Sequence, residues 1–213
     1  MAEGATELCL APGEELILAS GSPRRRQLLA AAGIRFFCQS ADVDEASLPG
    51  ETAAELVQRL AASKARQIAA GCPGRLVLGA DTVVALDGVI YGKPADLAAA
   101  RAMLLALSGR SHQVLTGVCL VRQPAGRREV SRIWVCTTSV AFRTLASDDI
   151  EAYFRLVDPL DKAGAYGIQE HGDMIVARVD GLLSNVIGLP VEELFPGCQS
   201  GAARPGPAAW TGR

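Results

Sequence analysis

The sequence predicts a single α/β domain built on a mixed, twisted β-sheet flanked by helices. Three observations carry this prediction. Short apolar strands alternate with amphipathic helices along the chain. Residues 76–86 form an almost wholly apolar run, which is typical of a central strand covered on both faces. Residues 113–122 and 129–143 look like antiparallel partners, so the sheet is expected to be mixed.

Each predicted element begins or ends at a recognisable residue. Gly33 and Gly71 end the first two helices. Ser147 is expected to cap a later helix, and Pro190 takes the first position of a short final one. The predicted strands are residues 15–19, 35–40, 76–86, 113–122, 129–143 and 174–179. The predicted helices are residues 23–32, 52–70, 95–107 and 147–156.

The chain of 213 residues has room for one domain, which we place at residues 14–196. Residues 1–13 and 197–213 are rich in small residues and proline without periodicity, so both are predicted to be flexible tails. No apolar run approaches the roughly 20 residues that span a bilayer, so no membrane partner is expected.

Charge and cysteine content narrow the choice of partners and compartment. The net charge of −2 provides no broad positive field, which disfavours nucleic acid as a partner. The six cysteines lack CxxC spacing and are expected to be reduced thiols, without structural zinc. The N-terminus does not have the pattern of a secretory signal, so a cytoplasmic location is predicted.

A basic turn follows the first predicted strand. Ser22 is placed to cap the next helix, whose first residue is Pro23. Arg24, Arg25 and Arg26 then add cations to a helix end that is already partly positive, which is unfavourable unless an anion binds there. Serine hydroxyls, including that of Ser20, and free backbone N–H groups complete a phosphate site. The alternative is a solvated basic turn whose arginines pair with carboxylates elsewhere.

Asp81 and Thr82 interrupt the most apolar strand of the chain. An ionised carboxylate in a central strand costs several kcal/mol unless a cation, metal or ligand compensates it. Asp81 is therefore the first candidate for a catalytic residue. The alternative is a position at a strand end, where the carboxylate would cap a neighbouring loop.

Lys64 lies inside the apolar stripe of the helix predicted at residues 52–70. Its ammonium group is expected to point toward the core or a cleft. Alternatively, the long side chain could pass the stripe and reach solvent.

Residues 158–172 form a long connection without periodicity, predicted to be an ordered functional loop. Asp161 and Lys162 place two opposite charges side by side in it. The amide of Gln169 has both a donor and an acceptor, which suits the edge of a pyrimidine base, although a glutamine in a turn is commonly solvated.

Three further charged residues, Asp44, Glu45 and Lys93, are second-tier candidates. Hydrolysis of a phosphoanhydride needs oxygen ligands for Mg²⁺ or Mn²⁺ and positive charge on the transferred group, and these residues supply both kinds. Acidic loops are otherwise mostly solvated.

The motifs taken together resemble the Maf-type nucleoside triphosphate pyrophosphatases. The matching segments, in order, are LILASGSPRRRQLL, VDE at 43–45, SKA at 63–65, GADTVV, GKP, LTGV at 115–118, DKAGAYGIQ and SNVIGLP at 184–190. The resemblance covers roughly residues 15–195. It implies a deep cleft between two lobes, a homodimer, and hydrolysis of a nucleoside triphosphate to the monophosphate and pyrophosphate with Mg²⁺, Mn²⁺ or Co²⁺.

The resemblance also implies roles for single residues. Asp81 is the general base, while Lys64 and Lys93 are catalytic residues on the phosphates. Glu45 and Asp81 are the metal contacts. The residues implied to bind substrate are Ser20, Ser22, Arg24, Arg25, Thr82, Asp161, Lys162 and Gln169.

Within the family, Arg24 directly after Pro23, Thr82 after Asp81, and Gln169 resemble the branch that hydrolyses dTTP and UTP. The branch acting on 7-methyl-GTP carries an extra residue after the proline and a glutamine after the catalytic aspartate. Glu170-His171 departs from the glycine usual after the glutamine. Two other functions remain open at this stage: a nucleotidyltransferase, and a non-catalytic nucleotide-binding regulator of cell division.

Overall fold

The structure, a computed structural model, describes residues 8–195 of the chain. Residues 1–7 and the predicted tail at 197–213 lie outside the described residues, so the predicted domain limits stay predictions. Before residue 14, Leu8 and Leu10 already pack against the hydrophobic core. No described helix is long and apolar enough to cross a membrane.

A single mixed sheet forms the centre of the molecule, which confirms the predicted fold class. Its order is β2-β1-β3-β5-β6-β7, and β4 pairs with β3 beside this path. β1 is parallel to β2 and β3, whereas the other neighbours are antiparallel. The strands are β1 (Leu16–Leu18), β2 (Phe36–Cys38), β3 (Leu76–Leu86), β4 (Val89–Tyr91), β5 (Ser111–Arg122), β6 (Val130–Phe142) and β7 (Val176–Asp180).

Helices of very different length cover the sheet. The longest, α2, begins with a capping box in which Thr52 and Glu55 satisfy each other's backbone N–H groups. The helices are α1 (Pro23–Ala31), α2 (Ala53–Ala70), α3 (Leu97–Leu107), α4 (Ser147–Phe154) and α5 (Leu183–Ile187). Short 3₁₀ turns lie at Ala163–Ala165, Gly172–Met174 and Val191–Glu193.

Several sequence-based predictions are wrong in detail. Ser147 is the first helical residue of α4 and not its cap; the carboxylate of Asp149 accepts from the N–H of Ala146 instead. Pro190 precedes the final 3₁₀ turn and is not part of it. Neither β4 nor α5 was predicted, because three and five residues are too few to show a period.

The cysteine prediction holds only in part. Cys38, Cys72, Cys119 and Cys136 are free thiols. Cys9 is disulfide-bonded, so the expectation of a reduced thiol is wrong at that position.

One edge of β3 is open at its middle. β5 runs along one side of β3 from residue 76 to 85. On the other side, β1 pairs only at Val77 and Leu78, and β4 pairs only from Val84 onward. The intervening stretch contains Asp81 and Thr82, so these polar residues lie at a gap in the sheet and not at a strand end.

Two glycines let α2 lie unusually close to the sheet. A Cβ at Gly79 would overlap the backbone oxygen of Ala61, and one at Gly117 would overlap that of Val57. Gly117 pairs with Asp81 across the β3–β5 ladder. The close approach brings Lys64, in the middle of α2, to the carboxylate of Asp81.

A buried histidine lies at the start of β5. His112 is 2% exposed and meets Phe142 and Tyr166 edge to face, at centroid distances of 4.8 and 5.5 Å. Burial lowers the pKa of His112 to about 4. The imidazole is therefore neutral in the folded protein near neutral pH.

This burial predicts a loss of stability in mild acid. Below about pH 6.5, the unfolded chain binds a proton at His112 that the folded protein does not bind until about pH 4. We expect the free energy of unfolding to fall by about 2 kcal/mol between about pH 7.5 and about pH 5 from this group alone. Urea unfolding of the wild type and of His112→Gln at both pH values measures this fall in the free energy of unfolding. Equal pH dependence in the two proteins would contradict the prediction.

Candidate active site

A cleft of about 720 Å³ opens at the gap in β3. Its lining comes from the β1–α1 turn, the middle of α2, the loop of residues 161–170 and the end of α5. The structure brings every predicted site residue to this cleft: Ser20, Ser22, Arg24, Arg25, Glu45, Lys64, Asp81, Thr82, Lys93, Asp161, Lys162 and Gln169. Of the other charged residues singled out by sequence, Asp44 and Arg26 do not line it.

Arg25 is a buried cation held by neutral groups. Its guanidinium donates to Gly188 O (2.9 Å), Ser20 Oγ (3.1 Å) and Thr82 Oγ1 (3.1 Å). Within residues 8–195 it forms no ion pair, and burial lowers its pKa although Asp81 acts in the opposite direction. A buried charge without a counter-ion is costly, so an anion entering the cleft would be stabilised here.

The start of α1 adds further anion-binding groups. Ser22 caps the helix by accepting from the N–H of Arg25 (3.4 Å), and its own N–H donates to Ser20 Oγ (3.2 Å). Because the helix has nine residues and begins at Pro23, its positive end points at the cleft beside these hydroxyl groups. The geometry suits an oxyanion of phosphate size.

Lys64 joins two carboxylates. Its Nζ lies 2.7 Å from Asp81 Oδ1 and 2.5 Å from Glu45 Oε1. Both Lys64 and Asp81 are 8% exposed, whereas the Glu45 side chain is 57% exposed. The prediction that Lys64 points into a cleft is confirmed, and its ammonium is the cation that compensates the buried Asp81.

Glu45 remains ionised in this arrangement. Partial burial acts to raise its pKa, but the hydrogen bond from Lys64 and the charges of Lys64, Lys93 and Arg25 outweigh burial, so the pKa lies below its usual range. Lys93 is exposed and forms no hydrogen bond or ion pair within the described residues. Its ammonium group is therefore free to contact a bound phosphate.

Two carboxylates of the cleft are placed where a divalent metal could bind. The described residues hold no group of three or more His, Cys, Asp or Glu side chains arranged to bind a metal. Glu45 and Asp81 nevertheless each place a carboxylate oxygen beside one position, and Lys64 Nζ lies at that position. Two carboxylates completed by substrate oxygens and water are a usual Mg²⁺ environment, so these residues fit such an ion.

An ion pair crosses the mouth of the cleft. Arg24 Nη1 lies 2.8 Å from Asp161 Oδ2, and its Nη2 donates to Asp161 O (3.0 Å). Burial acts to raise the pKa of Asp161, but the hydrogen bonds from Lys162 and Arg24 lower it overall. The ion pair links the β1–α1 turn to the loop of residues 161–170.

Lys162 is occupied by its own loop. Its Nζ contacts Asp158 O (2.7 Å), Asp161 Oδ1 (2.6 Å) and Glu170 Oε2 (3.1 Å), and its side chain is 4% exposed. An ammonium group has three N–H donors, so none is left over for a substrate. The structure therefore places Lys162 as a support of the loop, next to Gln169, which is exposed in the cleft.

Thr82 faces the opposite side of β3 from Asp81. Its hydroxyl accepts from Arg25 and shares a 2.9 Å hydrogen bond with Thr116. Thr116 in turn donates to Asn185 O (3.2 Å). Thr82 thus orients the buried guanidinium and connects it to α5.

Sequence reasoning missed Asn185, Thr116 and Thr138 as single residues. The Asn185 amide donates to Val114 O and Thr138 Oγ1, both at 3.0 Å, and so fixes α5 on the sheet. That contact positions Gly188 O against Arg25. The signal was available in the SNVIGLP and LTGV segments, where polar residues stand among apolar ones.

The fold and the cleft define a class: an α/β protein in which a buried guanidinium and serine hydroxyl groups meet at a helix start, with a buried, lysine-paired carboxylate in the same cleft. The model of the family described as "Maf-like protein" matches residues 15–199. The chain belongs to this Maf-like family.

Relatives span most of the chain. The dTTP/UTP pyrophosphatase of Moorella thermoacetica is 50% identical over 184 residues, which are 85% of this chain and 93% of that protein. The dTTP/UTP pyrophosphatase of Myxococcus xanthus is 51% identical over 84% of this chain and 88% of that protein. A solved dITP/XTP pyrophosphatase structure from Mycobacterium abscessus is 23% identical, with a TM-score of 0.34, and the match covers 60% of this chain and 74% of that one.

Proposed function

We propose that this protein is a nucleoside triphosphate pyrophosphatase that hydrolyses dTTP and UTP to the nucleoside monophosphate and pyrophosphate. One observation carries the proposal: a buried carboxylate, Asp81, and a buried cation, Arg25, which forms no ion pair within residues 8–195, line the same cleft. The relatives named dTTP/UTP pyrophosphatase, at about half identity over most of the chain, support the substrate class.

In the proposed reaction, Asp81 accepts a proton from a water molecule. The water oxygen forms a bond to the α-phosphorus, and the bond from that phosphorus to the bridging oxygen breaks, which releases pyrophosphate. Lys64 Nζ donates a hydrogen bond of 2.7 Å to Asp81 Oδ1 and so holds the carboxylate in place before the proton moves. A general base at this position contributes on the order of 10²–10⁴ to the rate.

The cations of the cleft take the negative charge that accumulates on the leaving group. Arg25 and the start of α1 are fixed before substrate arrives, so they need no reorganisation during the reaction. Lys93 is free to contact the phosphates. Arg24 must exchange its contact with Asp161 for a phosphate or share it.

We also propose a divalent metal, held by Glu45 and Asp81, as part of the active enzyme. When bound, Mg²⁺, Mn²⁺ or Co²⁺ would supply positive charge to the phosphate oxygens. The carboxylates of Glu45 and Asp81 are the groups suited to hold it. The homodimer and the cytoplasmic location stay predictions.

Product analysis tests the proposal directly. The protein incubated with UTP, Mg²⁺ and water alone should yield UMP and pyrophosphate in equal amounts. A requirement for a second substrate, such as a sugar phosphate, would indicate a nucleotidyltransferase instead. Binding without turnover would indicate a regulator. A panel of triphosphates assayed with Mg²⁺, Mn²⁺ and Co²⁺ then identifies the preferred base and metal.

Gln169 is proposed to contact the pyrimidine base. Gln169→Ala should raise KM for dTTP and UTP by about tenfold, the worth of one to two hydrogen bonds, and should change KM for purine triphosphates little. Steady-state kinetics on UTP and ATP measure both. Gln123→Ala is a matched control, because Gln123 is exposed and does not line the cleft. Equal changes for all bases would make Gln169 a scaffold residue.

A further inference from the structure

A buried pair of side chains anchors the loop that carries Gln169. His112 Nε2 and Tyr166 Oη lie 2.8 Å apart and share a hydrogen bond. Tyr166 is 6% exposed and lines the cleft, whereas His112 is 2% exposed and does not. His112 therefore contacts a residue of the cleft wall, Tyr166, without lining the cleft itself.

The backbone before Tyr166 needs such an anchor. Ala165 has φ +64°, in the left-handed region that residues with a Cβ rarely adopt. Conformations of this kind persist only where surrounding contacts enforce them. The Tyr166 ring supplies these contacts, because it packs edge to face on Phe142 at 4.8 Å and on His112 at 5.5 Å.

The next residue is held as well. The N–H of Gly167 donates to Tyr153 Oη (3.0 Å), and Tyr153 is fully buried in α4. Gln169 itself is exposed, and no hydrogen bond from its side chain is recorded within residues 8–195. Its position in the cleft is therefore set by the backbone that the two anchored residues before it define.

We propose that His112 is a positioning residue for base selection: by holding the Tyr166 hydroxyl, it sets where Gln169 meets the nucleobase. The role rests on the proposed function of the cleft. The phosphate side is independent of it, because His112 and Tyr166 have no hydrogen bond to the β1–α1 turn or to the Lys64–Asp81 pair. Loss of the anchor should thus affect base recognition and not the chemical step.

A double-mutant cycle on base preference tests the proposal. His112→Phe and Tyr166→Phe should each raise KM for UTP by about tenfold, the worth of one buried hydrogen bond, with kcat within about twofold of the wild type. KM for ATP should stay unchanged, so the preference for UTP falls. The double variant should lose no more of the preference for UTP than either single variant, because each single variant already removes the same hydrogen bond. His112→Gln, whose amide can reach the hydroxyl, should retain most of the preference.

The proposal would be overturned if KM rose equally for UTP and ATP. It would also be overturned if the rise in KM for UTP in the double variant were the product of the rises in the two single variants. Melting temperatures identify variants that fold poorly; if His112→Phe is one of them, Tyr166→Phe removes the same bond with a smaller change. Phe142→Leu is the packing comparison, since it weakens one ring contact of Tyr166 and keeps the hydrogen bond; it should lower stability and should reduce the preference for UTP less than His112→Phe does.

Hydrogen exchange separates this proposal from the proposed function. If the wild type shows no preference for pyrimidines, the proposed function fails and the kinetic cycle loses its readout. In that case the backbone amides of residues 166–169 should still exchange faster in His112→Phe than in the wild type, measured without any nucleotide. Unchanged exchange there would refute the positioning role, whatever the substrate.

Discussion

Asp81→Asn should lower kcat for UTP by about a thousandfold, within the range for loss of a general base. The asparagine oxygen can still accept from Lys64 Nζ, so the local packing is retained, but the amide cannot accept the proton of the attacking water. Binding should survive, because Arg25 and the start of α1, the groups proposed to hold the phosphates, are positioned by Gly188, Ser20 and Thr82 and not by Asp81. Steady-state kinetics give kcat, and calorimetry with α,β-methylene-UTP, which cannot be cleaved, gives the dissociation constant.

Asp87→Asn is the matched control for this variant. Asp87 lies in the turn just after β3, is exposed, and has φ +51°, which asparagine tolerates well. The same chemical change there should leave kcat unaltered. Full activity of Asp81→Asn would show that another group activates the water. A loss of binding as large as the loss of kcat would show that Asp81 acts through substrate or metal affinity instead.

The sequence was most informative where burial conflicts with charge. The bounds of β3 were predicted to the residue, because eleven almost wholly apolar positions leave no other interpretation. Asp81 stood out within that run, and Lys64 stood out within the apolar stripe of α2. Charges at positions that ought to be apolar are rare without a functional or structural partner, and here each is the partner of the other.

The sequence was least informative about which of several similar residues faces inward. Arg24, Arg25 and Arg26 are adjacent, yet only Arg25 is buried, because its guanidinium must meet Gly188 O, some 160 residues later in the chain. Lys162 was predicted to bind substrate, but its donors are taken by oxygens of its own loop. Contacts of this kind depend on tertiary folding, and no local period encodes them.

The short elements were missed for a related reason. α5 has five residues and too little helical hydrogen bonding to be stable alone. Two hydrogen bonds hold it on the sheet. The Thr116 hydroxyl of β5 donates to Asn185 O, and the Asn185 amide of α5 donates to Val114 O of β5. A sequence pattern reports the propensity of a segment, whereas the structure of this segment is decided by buried hydrogen bonds to distant strands.

Gly117→Ala should have the second largest effect, on both stability and activity. The added Cβ would overlap the backbone of Val57, which cannot move aside as a flexible side chain would, so α2 must shift away from the sheet. We expect a loss of about 3 kcal/mol from overpacking, or a fall of roughly 10 °C in Tm. Because the shift also moves Lys64 away from Asp81, kcat should fall by about a hundredfold.

Gly71→Ala provides the comparison at the end of the same helix. There the nearest heavy atom to a new Cβ is Ile68 O at 3.7 Å, an ordinary contact, and φ is −90°. Its Tm should stay within a few degrees and its kcat unchanged. If Gly117→Ala melted with the wild type and kept its kcat, the helix would not need this close approach, and the glycine would not be what sets the distance between Lys64 and Asp81. If it lost stability but kept kcat, α2 would have yielded near Val57 only, and the Lys64–Asp81 contact would be maintained by the rest of the helix.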